Sequence, residues 1–394
     1  MIQIPSKLVI IQIAKSLFGL LVSDLVIITN SCSARISQKI ADSVPESVML
    51  IADSVPESDI LSIAVIKMTN FAFIGCGKIA NFHADVIYGM NHSISAVCAR
   101  KDSPNIMGFA QKYKIKKTYD NWKKMLGKER PDAVIVAVSW DQTENIIEDV
   151  IKSGLPCLVE KPVALSSKKL QKIINNTKKF SKNVIIGYNR RFYEFIPKIR
   201  EALKTKELIS IELNMPEATA FITKNHSSDV VDNMLIFMSS HWLDLLMHLI
   251  GDVKVVKIYR KHSKADSTFR SYNGLLYSVA YNAPIHLQSN FNAPSQMSIT
   301  FNFKDAIYKL CPIETLTVYS GMDCIEPDNK VKLRRYAPRI KEIYQVDALY
   351  KPGFYLQIKN FIETCVEHKK KNEIGCNLED ALMVTKLCEK IKGQ

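Results

Sequence analysis

No two cysteines form a Cys-x-x-Cys pair, and the nine in the chain lie far apart. That spacing argues against a zinc knuckle or a disulfide framework and for a reducing, cytoplasmic compartment. No uncharged apolar run reaches bilayer length either, because Lys15 and Asp24 interrupt the segment from Leu8 to Thr29. A clean apolar region ending in a small-residue cleavage site is also missing, so neither a signal peptide nor a membrane partner is expected. Dense basic blocks are absent apart from Lys369-Lys370-Lys371, although the formal net charge is +14. The lysines are spread over amphipathic segments such as Asn121–Met125 and Ser166–Leu170. The excess therefore reads as solvated helix faces with an attraction for anionic small molecules, and not as a nucleic-acid surface. A solenoid is excluded as well. The tandem duplication of Ile40–Leu50 in Ile51–Leu61 stops at two copies, whereas stacking into a continuous core takes three or more.

What is present is an ordinary globular composition of 394 residues, 47% hydrophobic and 23% charged, with room for two domains. It is organised around Phe71 to Ile87, where an apolar run breaks at Gly75 and Gly77 and becomes a helical pattern. A dinucleotide-binding loop requires this strand-turn-helix context. Gly75 lets the chain turn, Gly77 removes the Cβ that would block a pyrophosphate, and Ala80 lets helix and strand pack closely. The phosphates then sit on the helix N-terminus at Lys78, Ile79 and Ala80, where unpaired N–H groups favour negative charge. Two glycines at a strand end also make simple tight turns, so the elements that follow decide.

From Met68 onward short apolar strands alternate with helices. Strands read at Phe71, Ile94–Ala99, Ala133–Val138, Pro156–Glu160 and Asn183–Gly187, with helices near 80–88, 105–113, 144–153 and 170–180. The alternation predicts a doubly wound α/β domain, a parallel sheet covered on both faces with its ligand crevice beyond the strands' C-terminal ends. The second strand runs into Ala99-Arg100-Lys101-Asp102. An acid at this point bonds the ribose of NAD, whereas an arginine accommodates the 2′-phosphate of NADP. The cations come first, which favours NADP and leaves NAD open, with solvated loop charges as the alternative for Arg100.

Gly154-Leu-Pro-Cys-Leu-Val-Glu160-Lys161-Pro162-Val-Ala-Leu-Ser166 is more specific. With the glycine loop and Tyr188-Asn189-Arg190-Arg191-Phe192, it closely resembles the glucose-fructose oxidoreductase and inositol dehydrogenase family (Gfo/Idh/MocA), from Met68 to the C-terminus. The resemblance implies a Rossmann domain ending in Glu-Lys-Pro, often with a cis proline. Lys161 then works beside the nicotinamide and the substrate hydroxyl, with Glu160 and Pro162 on the cofactor side. It places Tyr188, Asn189 and Arg190 along the substrate's approach, where Arg190 or Arg191 could hold an anionic substituent. A lysine at a parallel strand's end faces the crevice on general grounds too.

Past Phe192 the rhythm changes to period-two alternation in 208–214, 253–259, 285–291, 296–303 and 313–319, which reads as an open, mostly antiparallel sheet. By resemblance this sheet carries the substrate and the subunit contacts of a homo-oligomer. One helix interrupts it, Ser239 to Gly251, with His241, Asp244 and His248 on one face. The apolar surroundings argue against a metal. The family has an Asp-x-x-x-His pair here. His241 matches the histidine, while Phe237 stands at the aspartate, so acid-base work would fall on Lys161, His241 or a carboxylate from elsewhere. Asp244 is assigned to the substrate side. Where many relatives have Thr-Pro-Asn, this chain has Ser139-Trp140-Asp141, with Trp140 either stacking on the cofactor or packing.

The resulting expectation is an NAD(P)-dependent oxidoreductase moving a hydride between nicotinamide and a ring carbon of a sugar, sugar nucleotide or cyclitol. Alternatives are an NAD-dependent glycosidase of the same fold and a non-catalytic dinucleotide- or sugar-sensing regulator. The domains read as an atypical leader (1–67), a Rossmann domain (68–190) and a substrate and oligomerisation domain (191–394). The functional enzyme is expected to start at Met68. Intact-mass measurement of the active natural protein tests this, and retention of residues 1–67 would count against it.

Overall fold

The computed structural model describes residues 68–224, 226 and 229–394, together with the backbone of three short strands, β1 (Ile27–Ile28), β2 (Val48–Ile51) and β3 (Ala64–Lys67). β1 pairs parallel with β2, and β2 antiparallel with β3. The rest of the duplication and of the expected leader lies outside the described residues. The chain divides into two compact units, Met1–Asn70 with Met90–Ser93, and Phe71–Gly89 with Ile94–Gln394. The second holds every candidate site residue.

Its first layer is a six-stranded sheet in the order β6-β5-β4-β7-β8-β9. The strands are β4 (Asn70–Ile74), β5 (Ser93–Cys98), β6 (Lys117–Tyr119), β7 (Ala133–Val136), β8 (Cys157–Val159) and β9 (Val184–Ile186). β7 lies parallel to β4 and to β8, and β8 to β9. Helices α1 (Lys78–Gly89), α2 (Ile106–Lys112), α3 (Trp122–Glu129), α4 (Thr143–Lys152) and α5 (Ser167–Thr177) connect them. Phe71 to Phe73 and the whole of β7 are 0% exposed, as expected of parallel strands covered on both faces. The strand order reverses between β4 and β7, the point at which such sheets open a crevice.

After α6 (Ile196–Thr205) comes an eight-stranded sheet, β11-β12-β13-β10-β14-β15-β16-β17. It comprises β10 (Leu208–Asn214), β11 (Val253–His262), β12 (Arg270–Ser278), β13 (Ala283–Asn290), β14 (Ser298–Phe303), β15 (Ile307–Leu310), β16 (Thr315–Ile325) and β17 (Arg335–Gln345). β10 runs parallel to β13 and the other neighbours pair antiparallel. β13 alternates buried and outward residues, with Ile285 and Leu287 inside. The strands β6, β12, β15 and β17 have no counterpart in the sequence reading. β6 is three residues long, and β17 is mostly exposed and carries Pro338, so neither shows an apolar alternation.

Three longer helices follow among the described residues: α7 (Ser240–Ile250), α8 (Phe354–Phe361) and α9 (Leu378–Lys392). α9 begins with a capping box between Asn377 and Asp380. Arg191 ties this region together. Its Nε donates to Asp244 Oδ2 at 2.9 Å, its Nη2 to Asp244 Oδ1 at 2.6 Å and its Nη1 to Asp380 at 2.8 Å. Asp244 is 0% exposed, and a buried charge left without its partner costs about 3–5 kcal/mol. Asp244→Ala should therefore lower unfolding free energy in urea by that order. A loss under 1 kcal/mol would show that the pair is not what anchors α7.

Candidate active site

The glycine loop sits where the sheet order reverses. Gly75 has φ +106°, and a Cβ there would lie 2.1 Å from Ala137 O, on the loop leaving β7. Its N–H donates to Cys98 O at 2.8 Å, at the end of β5. Three strand ends are thus drawn together through a residue that only glycine can supply. A Cβ on Gly77 would meet nothing within 4 Å, which leaves the approach to α1 open. Ala80 is fully buried against the sheet while Lys78 and Ile79 are exposed. The first turn of α1 holds no acid to compete for its N–H groups. These residues fit a dinucleotide pyrophosphate.

Arg100 is exposed beyond β5. Burial would raise the Asp141 carboxyl, but hydrogen bonds from Gln142 and Ser139 and the Arg100 charge hold it below the usual carboxylate range. The loops after β5 and β7 therefore face each other across the same end of the sheet. Trp140 packs on Phe237 at 5.4 Å between ring centroids.

Lys161 follows β8, and its bond to Pro162 is cis. Its Nζ donates to the Phe237 carbonyl and lies 5.0 Å from the centre of the Phe237 ring. Burial pulls its pKa down to about 8; Glu160 and Glu217 oppose the shift, while Arg190 and Lys351 add to it. Phe237 thus offers Lys161 its backbone carbonyl and the face of an uncharged ring. Glu160 turns toward α1 and bonds His83 Nε2 at 2.8 Å. Gly187 makes room for it, since a Cβ there would lie 2.8 Å from the carboxyl.

His241, near the start of α7, is 7% exposed and stands edge-on to Tyr188 at 5.6 Å. Its Nδ1 has no hydrogen-bond partner among the described residues. Burial, and then the charges of Arg190, Lys161 and Lys351, push its pKa well below the usual value, so the ring is neutral. Asp244 and His248 share its helix but not its surroundings. Asp244 is consumed by Arg191 in the core, in place of the expected substrate contact. His248 packs beside Arg200, and burial together with the charges of Arg191 and Arg200 lowers it to about 2. Helical spacing puts these side chains near one face, but burial among different neighbours separates them.

Two residues here escaped the sequence reading. Glu217, 7% exposed, lies just beyond β10 and accepts hydrogen bonds from Ser239 Oγ at 2.7 Å and Trp242 Nε1 at 3.3 Å. Burial raises its pKa, against those bonds and the charges of Arg190 and Lys161. A short helix at Thr219–Ile222 follows it. Lys351, ahead of α8, has no motif around it. Asn189, expected on the substrate side, is buried; its Nδ2 donates to Pro352 O at 2.8 Å and its Oδ1 accepts from Arg190. Among the described residues no three metal-ligating side chains cluster. A surface depression bordered by Trp122, Arg130, Pro131 and Leu155 lies at the strands' N-terminal ends, away from the crevice.

Residues 69–188 match the model of an oxidoreductase family with an NAD-binding Rossmann fold. This domain belongs to the Gfo/Idh/MocA family. The chain is 20% identical over 185 residues to myo-inositol 2-dehydrogenase of Thermotoga maritima, which covers 45% of this chain and 54% of that protein, about half its length. Inositol 2-dehydrogenase of Corynebacterium glutamicum is 23% identical over 329 residues, 82% of this chain and 93% of that one. The crystal structure of a dehydrogenase from Chromobacterium violaceum has the same fold, with TM-score 0.66 over 83% of this chain and 95% of that chain at 16% identity. Among the described residues no helix is long and apolar enough to cross a membrane. The glycine loop of this Gfo/Idh/MocA domain makes two substitutions diverge. Gly75→Ala should destabilise the fold by roughly 1–3 kcal/mol or more, from left-handed strain and the Ala137 contact. Gly77→Ala should unfold like the parent yet bind NADPH and NADH more weakly by fluorescence titration. Equal behaviour of the two would contradict this account.

Proposed function

We propose that the chain is an NAD(P)-dependent dehydrogenase that oxidises or reduces a ring carbon of a sugar, sugar nucleotide or cyclitol. Residues 68–190 hold the cofactor and residues 191–394 form the substrate wall. The observation that carries this reading is a lysine at the end of β8 with its pKa lowered to about 8, beside a neutral, buried histidine whose Nδ1 has no hydrogen-bond partner among the described residues. Gly75, Gly77, Lys78, Ile79, Ala80, Arg100, Ser139, Trp140, Glu160 and Pro162 are the residues that would hold the dinucleotide, which supplies the hydride chemistry when bound. NADPH is the expected partner through Arg100.

Lys161 removes the substrate's hydroxyl proton in the oxidative direction and returns it in the reductive one. A base near neutral pH must be deprotonated part of the time, and desolvation is what makes a lysine so. His241 holds the same oxygen or passes the proton to solvent. The strands β11, β16 and β17 leave Val256, Tyr259, Met322, Ile340 and Ile343 more than half exposed, which supports a second copy covering that face. A cytoplasmic setting belongs to the same reading, since the described cysteines are all free thiols.

Lys161→Ala should leave dinucleotide affinity largely intact while turnover on the sugar and cyclitol panel falls roughly 10²–10⁴-fold; preserved turnover would refute the role. In the oxidative direction activity should rise with pH through about 8, as Lys161 loses its proton. The Glu217 charge raises the Lys161 pKa, so Glu217→Gln should move that limb to lower pH, and a shift upward would contradict the assignment. Sugar release from an aryl glycoside without NAD(P)H accumulation would favour a hydrolase instead. Dinucleotide binding with no turnover would favour a sensor.

A further inference from the structure

The crevice holds more positive charge than its acids neutralise. Among the described residues Lys161, Arg190 and Lys351 have no carboxylate within ion-pair distance, whereas neighbouring Arg191 has two. The acids whose charges reach them are otherwise engaged: Glu160 with His83, and Glu217 with Ser239 and Trp242. Glu314 is placed against the Tyr193 hydroxyl at 3.4 Å.

Arg190 and Lys351 are held as a pair by the chain between them in space. Asn189 Nδ2 grips Pro352 O at 2.8 Å. Gly353, at φ +79°, presses so close that a Cβ would lie 2.2 Å from Asn189 O. One guanidinium face of Arg190 lies over Trp242, 4.0 Å from the ring centre. Its buried Nε has no hydrogen-bond partner among the described residues, and its Nη1 has Asn189 at 3.2 Å. Lys351 Nζ rests between Phe82 and Phe354 at 4.9 and 5.9 Å from their ring centres. Aromatic walls supply cation–π attraction but no counter-charge, so both cations stay unneutralised at partial burial. Each depresses the pKa of the other's surroundings, Lys161 and His241 included.

We propose that Arg190 and Lys351 together form the subsite for a carboxylate or phosphate group carried by the substrate, so that the substrate is an acidic sugar or cyclitol derivative and not a neutral polyol. The inference rests on the dehydrogenase reading and deepens it. A bound dinucleotide is the other source of an anion. Its pyrophosphate, however, already has the open approach at Gly77 and the start of α1, whereas Arg190 stacks on Trp242, next to His241 on α7. Arg191, also considered from sequence for this task, is withdrawn from it by Asp244 and Asp380.

The test is a calorimetric titration of the full chain with D-glucuronate, D-glucose 6-phosphate and D-glucose, each with and without NADPH, in the parent, Lys351→Gln and Arg190→Lys. The parent should bind at least one acidic sugar about tenfold or more tighter than glucose, the scale of one or two charge-assisted contacts. Lys351→Gln should erase roughly that preference while leaving NADPH affinity and the unfolding midpoint unchanged. Arg190→Lys keeps the charge but loses the planar fork, and should give an intermediate loss. A drop in NADPH affinity with an unchanged acid-to-neutral ratio would assign the cations to the dinucleotide and overturn the proposal. Absence of any acidic preference in the parent would overturn it too. Failure of NADPH and NADH alike to bind, with acidic sugars still preferred, would instead remove the dehydrogenase reading and leave the anion subsite standing.

Discussion

Desolvation of positive charge governs this crevice. An ammonium or guanidinium taken from water and denied a carboxylate loses hydration that aromatic faces and carbonyl dipoles only partly replace. Lys161 responds by giving up its proton more easily, and His241 by staying neutral. The backbone carbonyl and the aromatic ring of Phe237 are what Lys161 meets on this side, and neither brings a negative charge to offset its desolvation. Glu217 limits the effect from another direction, as a buried acid that raises the Lys161 pKa from beyond ion-pair distance.

Such a site needs a stiff frame, because a charge that can swing into water is no longer desolvated. The frame is made of interactions that satisfy their own charges fully. Arg191 is saturated by Asp244 and Asp380, α9 is capped by Asn377, and Asn189 locks the chain ahead of α8. Adjacent arginines thus do opposite work. Arg191 is neutralised and structural, while Arg190 Nε, beside the crevice, has no hydrogen-bond partner among the described residues. Within one short turn, Asn189–Phe192, the backbone sends one side chain into the α7–α9 core and the other across Trp242.

Much of the parallel sheet was legible because its strands are buried on both faces and read as short apolar runs between helices. Gly75 and Lys161 were legible for a related reason, since each sits at the end of such a strand. The strands that escaped notice are those whose stability comes from neighbours. β12 carries Gly274, required by close approach of Lys257 O, where a Cβ would lie 2.0 Å away, and β17 is an exposed edge held by pairing with β16. Neither has the one-sided alternation that marks a half-buried strand.

By itself the sequence determined the alternation of strands and helices in the parallel-sheet domain and the strand-turn-helix around Gly75, because these rest on local pattern and on φ restrictions within a few residues; Lys161 and His241 were marked by resemblance. Only the tertiary structure decided which polar groups share the crevice. It drew Asp244 and His248 away from His241 although the helix aligns them, and it brought in Glu217 from beyond β10 and Lys351 from ahead of α8. The physical reason is that burial and charge act through space. Whether a carboxylate is consumed or available depends on the partner that folding sets against it, and no spacing along the chain records that.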